Sequence, residues 1–219
     1  MTQSGFSLSN RRWYFTILLF SWVVAAWYLV GAGKQESFLS LHPTGPTSFD
    51  GFMRNITHLG DGLFTVAVII ILLLRRQWVS ASMVSIAYST SGLLAQALKH
   101  MLGLPRPAAY FADRGIPIFT MPDLSVHLAN SFPSGHATSA FALATCLAII
   151  FRVKWLALPL LLLAWLVAYT RVYLGQHFPE DIWFGSLLGV GGALLARWIV
   201  LLLAGKYPNF RNYRFIPHG

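Results

Sequence analysis

The chain has 219 residues, of which 56% are hydrophobic and only 11% charged, and its formal net charge is +9. An ordinary soluble domain carries about 25% charged residues, so too little charge is present to clothe a water-facing surface of this size. A soluble, disordered or coiled-coil protein is therefore excluded, and a membrane protein with lipid as the solvent of its outer face remains. On a soluble protein the basic balance would suggest nucleic acid; here it becomes a question of sidedness, and no nucleic-acid partner is expected. Cys146 stands alone in an apolar stretch. It can form no intrachain disulfide, it excludes a zinc cluster built on cysteines, and it reads as a space-filling helix residue.

A membrane-crossing helix needs roughly 20 mostly apolar residues. Six segments are candidates: Trp13 to Val30, Ile56 to Leu74 with an apolar core from Leu63, Trp78 to Leu98, Ala137 to Phe151, Trp155 to Leu174 and Ile182 to Ala204. The first is longer than the core of a secretory signal, and no small-residue cleavage site follows, so it reads as a retained anchor. The second opens on Thr57-His-Leu-Gly-Asp61-Gly, read as a polar helix start with His58 and Asp61 as alternatives for shaping substrate entry. The third carries Ser80, Ser82, Ser85, Ser89, Thr90, Ser91 and Gln96, a polarity that suits a helix facing protein. In the sixth, Gly185, Gly189 and Ala193 recur at every fourth position, which permits close helix contact. No linker divides the chain, and residues 1–219 read as one all-α domain, a six-transmembrane-helix bundle.

Basic residues set the orientation. Arg11, Arg12, Arg75, Arg76, Arg152, Lys154, Arg197, Lys206, Arg211 and Arg214 fall on one side, which is therefore cytoplasmic together with both termini. Lys34, Arg54, Lys99, Arg106, Arg114 and Arg171 fall on the other, and so do all seven acids. The connections 31–55 and 99–136 are then outside, and Gly31 to Arg54 and Ala108 to Phe132 are expected to cap the site. The small size and short loops fit a bacterial inner membrane.

Three segments converge on that outer side. They are Lys99-His-Met-Leu-Gly-Leu-Pro-Arg106-Pro107, Pro133-Ser134-Gly135-His136, and Arg171-Val-Tyr-Leu-Gly-Gln-His177-Phe-Pro-Glu-Asp181. Their chemistry reads as phosphoryl transfer. Lys99, Arg106 and Arg171 can neutralise a phosphate and the charge that develops on its oxygens. Ser134 offers a hydroxyl, and the N–H groups of Gly135 and His136 lie at a helix start, where unpaired donors favour an anion. Asp181, four residues beyond His177, can fix the tautomer of that ring and raise its nucleophilicity. His177 can then attack phosphorus, while His136 protonates the leaving oxygen and later activates water. No carboxylate cluster suggests a metal, and no cofactor is expected. Singly, each residue has a plainer reading: a snorkelling cation, a helix entry, a structural histidine. The coincidence of three spacings on one surface outweighs them.

In order and spacing, Lys-x6-Arg-Pro, Pro-Ser-Gly-His and Arg-x5-His-x3-Asp resemble the three signature motifs of the type 2 phosphatidic acid phosphatase superfamily. The motif residues lie between Lys99 and Asp181, and the six spans extend the resemblance over nearly the whole chain. The resemblance implies a phosphohistidine at His177 oriented by Asp181, His136 as acid and base, and Lys99, Arg106, Ser134, Gly135 and Arg171 as the phosphate cradle. Thr170 stands where the family usually has serine, one hydroxyl for another, and Glu180 has no assigned role. The expected activity is hydrolysis of a lipid phosphate or diphosphate, such as undecaprenyl diphosphate or phosphatidylglycerophosphate, without a metal and at the outer face of the membrane. A lipid A phosphatase or a lipid phosphotransferase would use the same site; a non-enzymatic transporter or scaffold has no need of paired histidines with Asp181. Neither the substrate nor the oligomeric state is encoded in the motifs.

Overall fold

A long run of apolar residues can satisfy its own backbone as a helix when water is scarce, and among the described residues every regular element is helical. A computed structural model describes residues 11–121, 124, 127–151 and 154–206. Asp123, Arg152, Arg211 and Arg214, used in the charge assignment, lie outside the described residues. Among the described residues eight α-helices follow in order: α1 (Arg12–Leu41), α2 (Asp50–Ile56), α3 (Gly62–Leu74), α4 (Trp78–Leu102), α5 (Pro107–Ala112), α6 (Gly135–Ile150), α7 (Ala157–Tyr173) and α8 (Pro179–Lys206). Short 3-10 turns at Thr57–Gly60 and Lys154–Leu156 lead into α3 and α7.

All six expected segments are helical, with two departures. The first continues past Val30 to Leu41 and breaks at Gly33, whose φ of 73° lies in the region open to glycine. The second is not one rod: residues 50–60 and 62–74 meet at a bend of 54° around Asp61. By length and apolarity, Arg12–Leu41 and Pro179–Ala204 can each cross a membrane, and the bent pair can form one further span. Helices α6 and α7 are apolar but shorter.

Helix α6 is the hub, packed against α4, α7 and α8. Its sequence is rich in alanine, and Ala137, Ala140, Phe141, Ala144, Cys146 and Ala148 are all buried. In lipid, helices gain little from leaving the solvent, so association relies on close van der Waals fit. The spacing of small residues on α8 supplies that fit. A Cβ at Gly185 would lie 2.6 Å from the Ser134 carbonyl oxygen, and one at Gly189 would lie 2.3 Å from that of Thr138. Gly192 makes the same approach to α4, 2.9 Å from the Ala87 carbonyl oxygen; that contact lies off the expected Gly185–Gly189–Ala193 row. The bundle surface is apolar, with Trp13, Phe20, Trp27, Val30, Leu63 and Leu93 exposed. This is the outer face of a membrane protein.

The polar residues of α4 divide by helical face. Ser80 and Ser91 point inward, whereas Ser89 and Gln96 are exposed. Cys146 is fully buried in α6, as its apolar setting suggested. The described parts of the connections are tied to the helices. His42 sets Nδ1 3.1 Å from the Val172 carbonyl oxygen and Nε2 2.8 Å from that of Phe119. The Tyr173 hydroxyl donates to Asp50 at 2.7 Å, which holds α2 against the end of α7.

Close helix contact of this kind leaves no room for a methyl group. Gly189→Ala is expected to destabilise the protein by about 1–3 kcal/mol, read as a lowered thermal transition in detergent. Gly191 faces open space, so Gly191→Ala should leave the transition unchanged or raised. Equal behaviour of the two variants would remove the close-packing argument.

Candidate active site

The first motif leaves α4 through Gly103, which takes a left-handed φ of 55° and donates its N–H to the Lys99 carbonyl. The chain then runs beside the segment that precedes the second motif. The Arg106 N–H donates to Leu128 O at 2.9 Å, and the Ser131 N–H to Leu104 O at 2.9 Å. Side chains reinforce this pairing: Arg106 Nε donates to Ala129 O at 3.0 Å, and Lys99 Nζ reaches Asn130 O at 3.4 Å. A second arm of Arg106 donates to Gln176 Oε1 at 3.0 Å, which links the first motif to the third.

Ser134 caps α6 and is fully buried, its Oγ accepting from the Ala137 N–H at 3.5 Å. The hydroxyl hydrogen stays available to a ligand. The Ser134 N–H donates to the backbone oxygen of Asp181 at 3.0 Å, joining the second motif to the third. In the third motif, Gly175 has a φ of 68°. That turn folds the N–H groups of Gln176 and His177 back onto the Arg171 carbonyl, at 2.9 and 3.1 Å. Arg171 and His177 are thereby fixed relative to each other through their backbones.

His177 and Asp181 are both buried, with His177 Nδ1 3.3 Å from Asp181 Oδ2. The same carboxylate oxygen accepts from the Ser131 hydroxyl at 2.5 Å and from the Phe178 N–H at 2.9 Å. Burial, followed by the charges of Arg171, Arg106 and Lys99, holds the His177 pKa well below its usual value. The ring is therefore neutral at physiological pH. With Nδ1–H directed at Asp181, the lone pair sits on Nε2. The three cations also act on one another: Lys99 is influenced by both arginines, and Arg171 by Arg106. So the three motifs do meet. Arg171 NH1 donates to Thr57 Oγ1 at 2.8 Å, whereas its buried Nε has no hydrogen-bond partner. A buried donor of this kind is costly unless a ligand takes it, and an anion would.

His136 lies opposite, at the start of α6, with Nε2 2.9 Å from Asp61 Oδ1. A cavity of about 230 Å³ opens beside it, lined by Arg54, Thr57, His58, Asp61, His136 and Arg171 among others. Among the described residues, no group of three or more histidine, cysteine or acidic side chains is arranged to hold a metal ion.

The eight motif residues stand out in the sequence, whereas the bonds their partners make to them do not. Ser131, Gln176, Thr57 and Asp61 each bond a motif side chain directly. Only the polar run Thr57–Asp61 carried a local signal, at the mouth of an otherwise apolar segment. Glu180 gains a role: it pairs with Lys34 at 2.6 Å, and the Lys34 ammonium also lies 4.1 Å from the centre of the Phe178 ring. The C-terminal part of α1 is thereby tied to the turn that carries His177.

The family model for the PAP2 superfamily matches residues 80–203. Phosphatidylglycerophosphatase B of Bacillus subtilis is 33% identical over 178 residues, 73% of this chain and 77% of that protein. Lipid A 1-phosphatase of Rhizobium etli is 38% identical over 121 residues, 53% of this chain and 46% of that protein. The chain spans less than half the length of the lipid A phosphatases it matches. The crystal structure of Aquifex aeolicus LpxE superposes with a TM-score of 0.66 at 28% identity, covering 74% of this chain and 93% of that one. All three motifs fall inside the matched region and converge around one buried histidine, and the chain belongs to the PAP2 superfamily.

Proposed function

We propose that the protein is a lipid phosphate phosphatase that works without a metal, through a phosphohistidine on His177. The observation that carries this reading is a buried, neutral imidazole with Asp181 behind Nδ1 and three cations around it, one of them with an unpartnered N–H. In the first step the Nε2 lone pair attacks phosphorus and the bond to the lipid oxygen breaks. His136 gives that oxygen its proton. In the second step His136 takes a proton from water, the hydroxide attacks the phosphohistidine, and phosphate and neutral His177 are released. Lys99, Arg106, Arg171, Ser134 and the N–H groups at the start of α6 hold the phosphoryl oxygens as charge develops on them.

In the empty site His136 is held down to about 3, first by burial and then by the charge of Arg171. A bound phosphate brings negative charge into the same space and raises that value. The acid is thus armed by the substrate. The substrate class follows from the relatives and from the setting: lipid A, undecaprenyl diphosphate and phosphatidylglycerophosphate phosphatases all match parts of the chain. The apolar exterior would leave the lipid tail in the bilayer while the head group enters beside His136. Six spans, a cytoplasmic position for both termini and an outward-facing site complete the proposal, supported by the segregation of basic and acidic residues.

Purified protein should release free phosphate from at least one of these lipids presented alone. Phosphate appearing only on an added acceptor lipid would make it a transferase instead. His177→Ala should abolish turnover while the thermal transition is retained, and EDTA should leave the rate of the unmodified protein unchanged. Full activity in His177→Ala would overturn the mechanism. For sidedness, an impermeant thiol reagent applied to whole cells should label Arg114→Cys and spare Arg76→Cys. The reverse pattern would invert the topology.

A further inference from the structure

The turn Thr57–Gly60 and the residue after it stand outside the three motifs, yet they reach two of the motif side chains. Asp61 occupies the N-cap position of α3, with an extended φ of −68° and ψ of 145°. An aspartate there ordinarily accepts an N–H of the first helical turn through its side chain. Asp61 makes no such bond. Its backbone oxygen takes the Phe64 and Thr65 N–H groups at 3.1 and 3.4 Å, and the carboxylate turns away toward two imidazoles. Oδ1 lies 2.9 Å from His136 Nε2, and Oδ2 lies 2.9 Å from His58 Nδ1.

The approach is built into the neighbouring residue. A Cβ at Gly60 would lie 2.7 Å from Val167 Cγ1 and 3.1 Å from His136 Cβ, so only glycine lets this turn sit against α6 and α7. Thr57 anchors the other end of the turn through its bond to Arg171. The segment is thus held against the wall of the site at both ends. A carboxylate facing Nε2 selects the tautomer that carries its proton there, which leaves the lone pair on Nδ1 for chemistry.

We infer that Asp61 is the positioning residue of the acid–base histidine: it holds His136 in the Nε2–H tautomer and stabilises the imidazolium that protonates the leaving oxygen. The inference rests on the proposed hydrolase reading for its kinetic consequence, though not for its tautomer. The charges around His136 make the need clear. Arg171, Lys99 and His177 all oppose a positive ring, and Asp61 is the group that favours it. His58, Arg54 and His127 border the same cavity on the far side. The site then holds two histidine–aspartate pairs with opposite tasks. Asp181 serves a ring that must stay neutral to attack, and Asp61 serves a ring that must gain a proton.

The test uses the full chain in detergent. Asp61→Asn keeps a hydrogen-bond acceptor and removes the charge, and its thermal transition serves as a check on folding. Loss of the charge lowers the His136 pKa, so the imidazolium is lost at lower pH. The alkaline limb of the kcat profile, which reports the substrate-bound state, is expected to move down by about one pH unit, giving about tenfold lower activity above that limb and little loss below it. KM should change little, because Asp61 is outside the phosphate cradle. A superimposable profile, or a loss equal at every pH, would overturn the inference. Independently of turnover, 15N resonances of labelled histidine should show His136 protonated at Nε2 in the unmodified protein and lose that preference in Asp61→Ala. A ring protonated at Nδ1 in the unmodified protein would refute the pairing. Absence of phosphate release with the Nε2–H tautomer intact would instead refute the hydrolase reading alone.

Discussion

Burying the Asp181 carboxylate obliges the chain to bring donors to it, and the rest of the site is arranged by that demand. A buried carboxylate without partners costs several kcal/mol or takes up a proton. Here Oδ2 receives the Ser131 hydroxyl, the Phe178 N–H and the His177 ring, while the backbone oxygen of the same residue receives the Ser134 N–H. Those donors belong to the entry of α6 and to the turn before α8. Oδ1 is buried without a hydrogen-bond partner, so it is the gathering of donors on Oδ2 that sets the second motif against the third. The first motif is drawn in by a parallel device, the two hydrogen bonds that Arg106 donates to the side-chain and backbone oxygens of Gln176. The contacts that satisfy these polar groups are the same ones that bring the three motifs together.

This arrangement needs a rigid frame, and the frame comes from absent side chains. Gly185 places α8 within reach of the Ser134 carbonyl, and Gly189 continues the contact one turn further into the bundle. The glycine row and Asp181 lie on one helix, so the helix that seals against α6 also carries that carboxylate to its partners. Aromatic residues fill the space above. Phe38, Phe111 and Phe178 pack together, with Phe38–Phe178 ring centres 5.5 Å apart, and they support the turn that presents His177.

The sequence made the helices and the three motifs legible for different reasons. Helices appear as apolar runs because each satisfies its own backbone, and the motifs appear because each is a contiguous stretch of unusual residues. What hydropathy cannot report is direction. The seven polar residues of α4 read alike along the chain, yet Ser91 faces inward and Gln96 outward. The break at Gly33 and the bend at Asp61 were hidden because both lie in stretches whose average polarity fits a helix end. Partners across the fold were hidden most thoroughly. Thr57 and Arg171 are separated by 114 positions, and nothing local in either marks the other. Asp61 read as a helix cap because its position is that of a cap; only the orientation of its carboxylate reveals a different use.

The bond from Arg171 to Thr57 also bears on what counts as one unit of this protein. The family match begins at residue 80, and by that measure the site is a module of α4 to α8. Yet Thr57 and Asp61 complete two of its side chains from before that boundary, and Lys34 braces Glu180 from earlier still. A segment cut at the edge of the match would keep all three motifs and lose the groups that aim them. The stretch that similarity recognises is shorter than the stretch that physics requires, and grafts or chimaeras of this fold are best joined upstream of Lys34.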